Sequence, residues 1–292
     1  MDATGLDQSI NNLEDNLIIG SPKLTNTTIT FNGKNNTFFC EDEDNVEIVD
    51  STISFNGNDS IIYLCSNKHK YFLNIALWHK SVCYIGEDNY MNGKLNISLF
   101  ERKHLLIGDY GLFSFDCWIR TADPHLLFDC NTKKRINPSK SVFLGDHIWV
   151  GQHAYLLKGT TIGSGSIIGA MALVAGKKIG SNTCYGGNPA KQLARDVFFT
   201  KDCVHGYLQK ETQKHLMSKK NNYIYSFSEN DTLSFREIER ELDNLTSADQ
   251  KLVYLKEKIR GNTAKNRFFI EEPEPKKSFI REIGAKLRRT KE

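Results

Sequence analysis

Residues 144 to 191 read LGDHIWVGQHAYLLKGTTIGSGSIIGAMALVAGKKIGSNTCYGGNPAK. Aliphatic side chains fall at Leu144, Val150, Leu156, Ile162, Ile168 and Val174, a step of six that neither a helix nor an alternating strand produces. One short strand and one turn per hexad would carry one aliphatic inward, and three such segments close a triangular coil of roughly eighteen residues. Glycine follows the aliphatic at Gly145, Gly151, Gly163 and Gly169, where a tight corner either demands positive φ or leaves no room for a Cβ. The stretch reads as a solenoid. Its hand is not given by the spacing.

Outward from this stretch the same step returns upstream at Ile107, Phe113 and Ile119, with Gly108 in the expected place. Between the two runs, ADPHLLFDCNTKKRINPSKS at 122 to 141 breaks phase and reads as an excursion loop, a common home for catalytic groups on a rigid scaffold. Further back, TITFNGKNNTFFC at 28 to 40 is echoed by TISFNGNDSIIYLC at 52 to 65, displaced by 24 residues. The Asn-Gly pairs alone suggest hairpins, whereas a displacement that is a multiple of six suggests early coils of the same solenoid, with EDEDN at 41 to 45 as a loop. The division expected is a polar segment at 1 to 23, a β-solenoid at 24 to 191, a helical cap and extension at 192 to 270, and a linker with a basic tail at 271 to 292. A capping helix is expected within 193 to 220. Ser234 and Glu237 form a capping-box pattern, and a further helix is expected from about Ser247 to Arg260, ending at Gly261.

Composition narrows the class. The 292 residues are 39% hydrophobic, and no apolar run approaches the roughly 18 to 20 residues of a membrane span. The N-terminus lacks the basic and apolar regions of a secretory signal, so a cytoplasmic location is expected. Seven cysteines without CxxC spacing indicate neither a disulfide framework nor a zinc ribbon and read as small buried hydrophobes. The net charge of +3 is uneven: residues 276 to 292 carry +5, with Phe279, Ile280, Ile283 and Leu287 on one helical face. That tail reads as a solvated helix, a docking helix for another protein, or an interfacial helix on anionic lipid.

LGDHIWVGQ, IGSGSIIGAMALV and GGNPAK resemble the hexapeptide-repeat acyltransferases, and with TADPHLLFD at 121 to 129 the resemblance narrows to O-acetyltransferases of bacterial surface polysaccharide, in particular those of polysialic acid capsules. The motifs cover 107 to 193. The resemblance implies a mainly β fold, a left-handed parallel β-helix with a C-terminal helical extension, assembled as a homotrimer. It implies acetyl-CoA as co-substrate, a polysaccharide or sugar acceptor, and work at the inner face of the cytoplasmic membrane, with peripheral contact through 276 to 292. No metal and no nucleic-acid partner are expected.

It also implies roles for particular residues. Acetyl transfer to a hydroxyl needs a base, and a neutral imidazole suits the task. His125 matches the family's catalytic segment, with Asp123 or Asp129 beside it to fix its tautomer; a lone loop histidine bonded to a carbonyl is the plainer reading. Trp149 precedes the inward Val150 and should point outward, into a subunit interface or, by the resemblance, into the active site. Gly169 and Ala170 would line the pantetheine arm, with a backbone N–H nearby for the oxyanion. Lys177, Lys178 and Lys191 would meet the phosphates, and Asn188 and Pro189 would shape the turn presenting Lys191. His147 and His153, six apart, could join His125 in a shared metal site, but the NPAK ending favours coenzyme A instead. Cys117, Cys130 and Cys184 fall in segments expected to be buried, so direct transfer is expected over an acyl-enzyme. Rival readings are N-acetylation of a nucleotide-linked amino sugar and a non-catalytic solenoid scaffold in capsule assembly.

Overall fold

The computed structural model describes residues 9 to 41 and 46 to 272. The first eight residues, most of the EDEDN loop, and the 276 to 292 tail with the end of its linker lie outside the described residues. Short parallel strands stack into three long sheets, the faces of a triangular prism. The first face runs from Ile10–Asn11 to Leu173–Ala175 and the second from Leu17–Ile19 to Lys178–Ile179; the third runs from Tyr90–Met91 to Cys184–Gly186. Each coil visits the faces in that order. The phased residues Leu144, Val150, Leu156, Ile162, Ile168 and Val174 are all fully buried inside the prism.

The internal repeat is the coil-to-coil register itself. Thr28 to Phe31 pair in parallel with Thr52 to Phe55, and the rings of Phe31 and Phe55 stack with centroids 4.7 Å apart. The Asn-Gly pairs turn corners and close no hairpin. A Cβ on Gly33 would stand 2.1 Å from the Gly57 carbonyl oxygen of the coil above, so glycine is needed for close stacking. The phased Gly151 is needed for the same reason: its Cβ would meet the Ala170 nitrogen at 2.5 Å. Positive φ falls two residues later, at His147, His153, Gly159, Gly165 and Met171, again in steps of six. Those are the left-handed corners.

Two boundaries differ from the expectation. Ile10–Asn11 and Leu17–Ile19 already pair with the next coil, so the solenoid begins inside the segment read as polar. At the other end Lys191–Ala194 lies antiparallel on Cys184–Gly186 and closes the third face. Helix α1, Gln209–Lys214, buries no residue and caps nothing. A strand does this because its backbone satisfies the open edge directly, which a six-residue helix cannot.

The helical extension covers a side of the prism instead of its end. Helix α2, Phe235–Asn244, is capped by Ser234, whose hydroxyl accepts from the Glu237 N–H. Helix α3, Ala248–Tyr254, carries a full capping box between Ser247 and Gln250 and continues through a π-helical turn, Leu255–Arg260, to Gly261. Their apolar faces, with Phe268 and Ile270, pack on Phe39, Ile61, Tyr63, Val82, Tyr84, Leu106 and Phe143, which point outward from the second face. Second-face strands such as Ile61–Leu64 and Val82–Ile85 are therefore buried on both sides, which accounts for their unbroken apolar runs. Polar pins fix the seam. Arg267, 2% exposed, bridges Asp109 at 2.7 Å and Asp146 at 2.8 and 3.0 Å. The buried Lys251 ammonium donates to the carbonyls of Asp59 and Lys80 at 3.0 and 2.8 Å, and its burial pushes its pKa down to about 8. Among the described residues no helix is long and apolar enough to cross a membrane.

Candidate active site

The excursion loop leaves the corner between the first and second faces, after Cys117–Arg120 and before Val142–Leu144. It folds back as a short antiparallel ribbon, with the Ile136 N–H donating to the Leu127 carbonyl and a bridge between Phe128 and Arg135. Asp129 organises its tip by accepting from Thr132 N at 2.6 Å, Thr132 Oγ1 at 2.9 Å and Asn131 N at 3.0 Å. Those bonds, Thr132 first, hold its carboxyl below the usual range. Two ion pairs fasten the arm to the coils beside it. Arg135 forks Glu101 at 2.7 and 2.9 Å, and Lys158 reaches Asp123 at 2.5 Å. Hydrogen bonds from Arg135 and Ser139 bring Glu101 down to about 2.

At the base of the ribbon, the buried Asn137 accepts from Leu127 N at 2.8 Å and donates to the His125 carbonyl at 2.8 Å and to Asp123 at 3.2 Å. Asn137 thus holds the backbone of His125 while leaving its ring free. Among the described residues no hydrogen bond reaches the His125 imidazole, which is exposed. The expected tautomer partners do not serve: Asp123 is taken by Lys158 and Asn137, and Asp129 by Thr132. Around His125 the arm exposes Leu126, Leu127, Phe128 and Ile136, each more than half accessible.

Trp149 lies on the third face, in register between Leu112 and Ile167, its indole outward and 38% exposed with Phe199 leaning on it at 5.7 Å. The arm springs from the corner opposite that face. One chain therefore does not bring His125 and Trp149 together. Gly169 and Ala170 occupy the corner between the third and first faces. Asn188, joined to Pro189 by a cis peptide, and Lys191 occupy the same corner one coil further on, and all but Gly169 are exposed. Lys177 and Lys178 lie across the first face, on the corner column of the arm. The donor residues form two groups, one along each edge of that face. A Cβ on Gly169 would lie in ordinary contact with the Tyr185 carbonyl oxygen at 3.4 Å and the Gly186 Cα at 3.6 Å, and Gly169 is half-buried.

Other candidates are placed elsewhere. His147 is buried in an aromatic sandwich, 4.0 Å from the Phe199 ring and 4.2 Å from that of Tyr223, with Nε2 3.1 Å from the Phe199 carbonyl. Burial pushes its pKa down. It shares no site with the exposed His153, whose ring stands 3.8 Å from Asp116. Among the cysteines, Cys40, Cys65, Cys83 and Cys117 are buried, but Cys130, at the arm's tip, and Cys203 are exposed, contrary to expectation. Turn and edge segments, unlike coil strands, have no interior to enter. Burial raises Cys117 to about 11, which leaves it a thiol at neutral pH.

No known family model matches the chain. It is 29% identical over 145 residues to a polysialic acid O-acetyltransferase of Neisseria meningitidis, covering 49% of this chain and 64% of that protein. It is 35% identical over 101 residues to a polysialic acid O-acetyltransferase of Escherichia coli O1:K1 / APEC, covering 35% of this chain and 33% of the relative. The chain thus spans less than two thirds of either curated relative. Among solved structures, the polySia specific acetyltransferase NeuO superposes with a TM-score of 0.61 at 27% identity over 71% of this chain and 98% of its own. The polysialic acid O-acetyltransferase OatWY gives 0.59 at 22% identity over 70% of this chain and 97% of its own, a likeness of fold. The coils and these superpositions define the class: a left-handed parallel β-helix with the fold of the hexapeptide-repeat acyltransferases. Within it, the chain is similar to the polysialic acid O-acetyltransferases.

Proposed function

We propose that this chain is an O-acetyltransferase that moves an acetyl group from acetyl-CoA to hydroxyls of a bacterial capsular polysaccharide, with a sialic-acid-containing polymer as acceptor. The observation that carries this reading is the His125 arm: an imidazole left unbonded, on a backbone clamped by Asn137, in a chain similar to enzymes of that name. His125 takes the hydroxyl proton as the sugar oxygen bonds to the acetyl carbonyl carbon. The carbon–sulfur bond then breaks, and the imidazolium returns the proton to the departing thiolate. No cysteine nucleophile is needed. Gly169 and Ala170 would hold the pantetheine arm at their corner, Lys191, Lys177 and Lys178 would meet phosphates, and Asn188 and Pro189 would set the turn before Lys191.

The assembly proposed is a homotrimer. Among the described residues, helices cover the second face, which leaves the first and third for other copies. Setting the first face of one copy against the third face of the next would bring His125 of one toward the indole of the other and would cover the arm's apolar side chains. The basic tail, 276 to 292, would hold the protein at the inner, cytoplasmic face of the membrane; its deletion should abolish flotation with anionic vesicles. Transfer itself is tested with labelled acetyl-CoA and purified capsules. The expected product is a base-labile ester on polysialic acid. Label only as an amide on a nucleotide-linked sugar, or no binding of coenzyme A, would contradict the reading.

A further inference from the structure

The arm returns to the prism through Asn137, Pro138, Ser139, Lys140 and Ser141, and burial alternates along it: Asn137, Ser139 and Ser141 are buried, Pro138 and Lys140 exposed. An extended chain sends alternate side chains to one side, so three polar groups point inward together and each needs a partner. Asn137 finds its own in the ribbon. Ser139 donates to Glu101 of the preceding coil at 2.5 Å. Ser141 donates at 2.7 Å to Glu239, which belongs to helix α2, 98 residues further along the chain. Glu239 also accepts from Lys103 at 3.3 Å, and the Ser141 hydroxyl accepts from the His104 N–H at 3.1 Å. One carboxylate thus ties the helix, the foot of the arm and the preceding coil together, through hydrogen bonds of the stronger, charge-assisted kind. The docking of α2 does not require this tie: its buried residues are Phe235, Ile238 and Leu242, and the Phe235 ring stacks on Phe143 with centroids 5.3 Å apart. Beyond Ser141 the same limb is fastened again at Asn137, whose carbonyl accepts from Lys158 at 3.2 Å and whose side chain holds the His125 carbonyl.

We propose that Glu239 is a positioning residue for acetyl transfer: through Ser141, helix α2 fixes the returning limb of the arm and with it the placement of the His125 ring. The helical extension then serves the reaction as well as covering the second face. The inference rests on the reading of His125 as the base and names what steadies that base from outside the solenoid. The role requires neither contact with substrate nor transfer of a proton.

The test uses the full-length protein with Glu239→Ala, Glu239→Gln, Ser141→Ala and Ser234→Ala, each measured by acetyl transfer to polysialic acid and by amide hydrogen exchange of residues 122 to 141. Glu239→Ala should lower kcat about five- to tenfold, with KM for acetyl-CoA and for the polymer within about twofold, because only the placement of a catalytic group is lost. The same variant should speed exchange across 122 to 141 about tenfold or more. Glu239→Gln keeps an oxygen that accepts from Ser141 and should regain most of both losses. Ser141→Ala should lose about as much as Glu239→Ala, and the two together no more than the worse of them, as expected of one shared bond. Ser234→Ala loosens α2 through its cap without touching the arm, and its kcat should stay within about twofold of wild type. A Glu239→Ala variant with normal kcat and normal exchange would overturn the proposal. So would additive losses in the double variant, or a Ser234→Ala variant as slow as Glu239→Ala, which would reduce the effect to helix stability. Faster exchange of the arm in Glu239→Ala, in a protein whose wild type transfers no acetyl group, would leave the tie standing and remove the catalytic reading. Normal exchange in Glu239→Ala, with transfer that His125→Ala abolishes, would do the reverse.

Discussion

His125 and Asn137 divide one task between a ring and a backbone. The imidazole stays unbonded because its carboxylate neighbours are occupied, while Asn137 fixes the peptide that carries it. His125→Ala should therefore lower kcat by at least about 10²-fold with an unchanged thermal midpoint, and near-normal turnover would exclude it as the base. Asn137→Ala should cost about tenfold or more in kcat through misplacement of the ring, since small displacements of a catalytic group are expensive. It should barely move the melting midpoint, because the arm lies outside both apolar cores. Normal turnover in that variant would show that the clamp is idle. The sequence marks His125 as a candidate through its family-like segment. The clamp by Asn137 has no such mark, because folding a ribbon back on itself leaves no spacing to read.

At the scale of elements, phase was the readable signal and docking was not. The hexad aliphatics announce their inward position because each stands alone in its segment. On the second face the outward Tyr63, Tyr84 and Phe143 sit beside inward residues, so the strands show an apolar run and conceal which half meets the helices. The first coils leave no such signal, since strands as short as Ile10–Asn11 carry too few residues for a period. Removing Arg267 leaves two buried carboxylates unpaired, so Arg267→Ala should lose about 3 to 5 kcal/mol in denaturant unfolding; a loss under about 1 kcal/mol would contradict the role given to it. Helix α2 is also held by Asp243, which meets Lys103 at 2.9 Å and His104 at 3.2 Å. Burial alone would raise Asp243, but hydrogen bonds from His104 and Lys103 bring it to about 2. A carboxyl depressed in the folded state stabilises fully above its ordinary range near pH 4, and that stabilisation fades as pH falls through about 2. His104, whose pKa burial pushes down, acts in the same direction. Acid titration should thus loosen α2, and Asp243→Asn should flatten the stability profile between about pH 4 and pH 2; an unaltered profile would rule the contact out.

At the scale of the whole molecule, helices cover one side of the prism among the described residues, and the two groups expected to act together stand on opposite sides of a single copy. The closed ring proposed above would resolve this by lending the arm of each copy to the next. The direct measurement is complementation between His125→Ala and Trp149→Ala copies, each nearly inactive alone, assembled together and assayed for acetyl transfer to polysialic acid. Random mixed trimers should regain about a quarter of wild-type turnover, because that fraction of interfaces pairs an intact imidazole with an intact indole. Mixed assemblies no more active than either parent would contradict a site shared between copies.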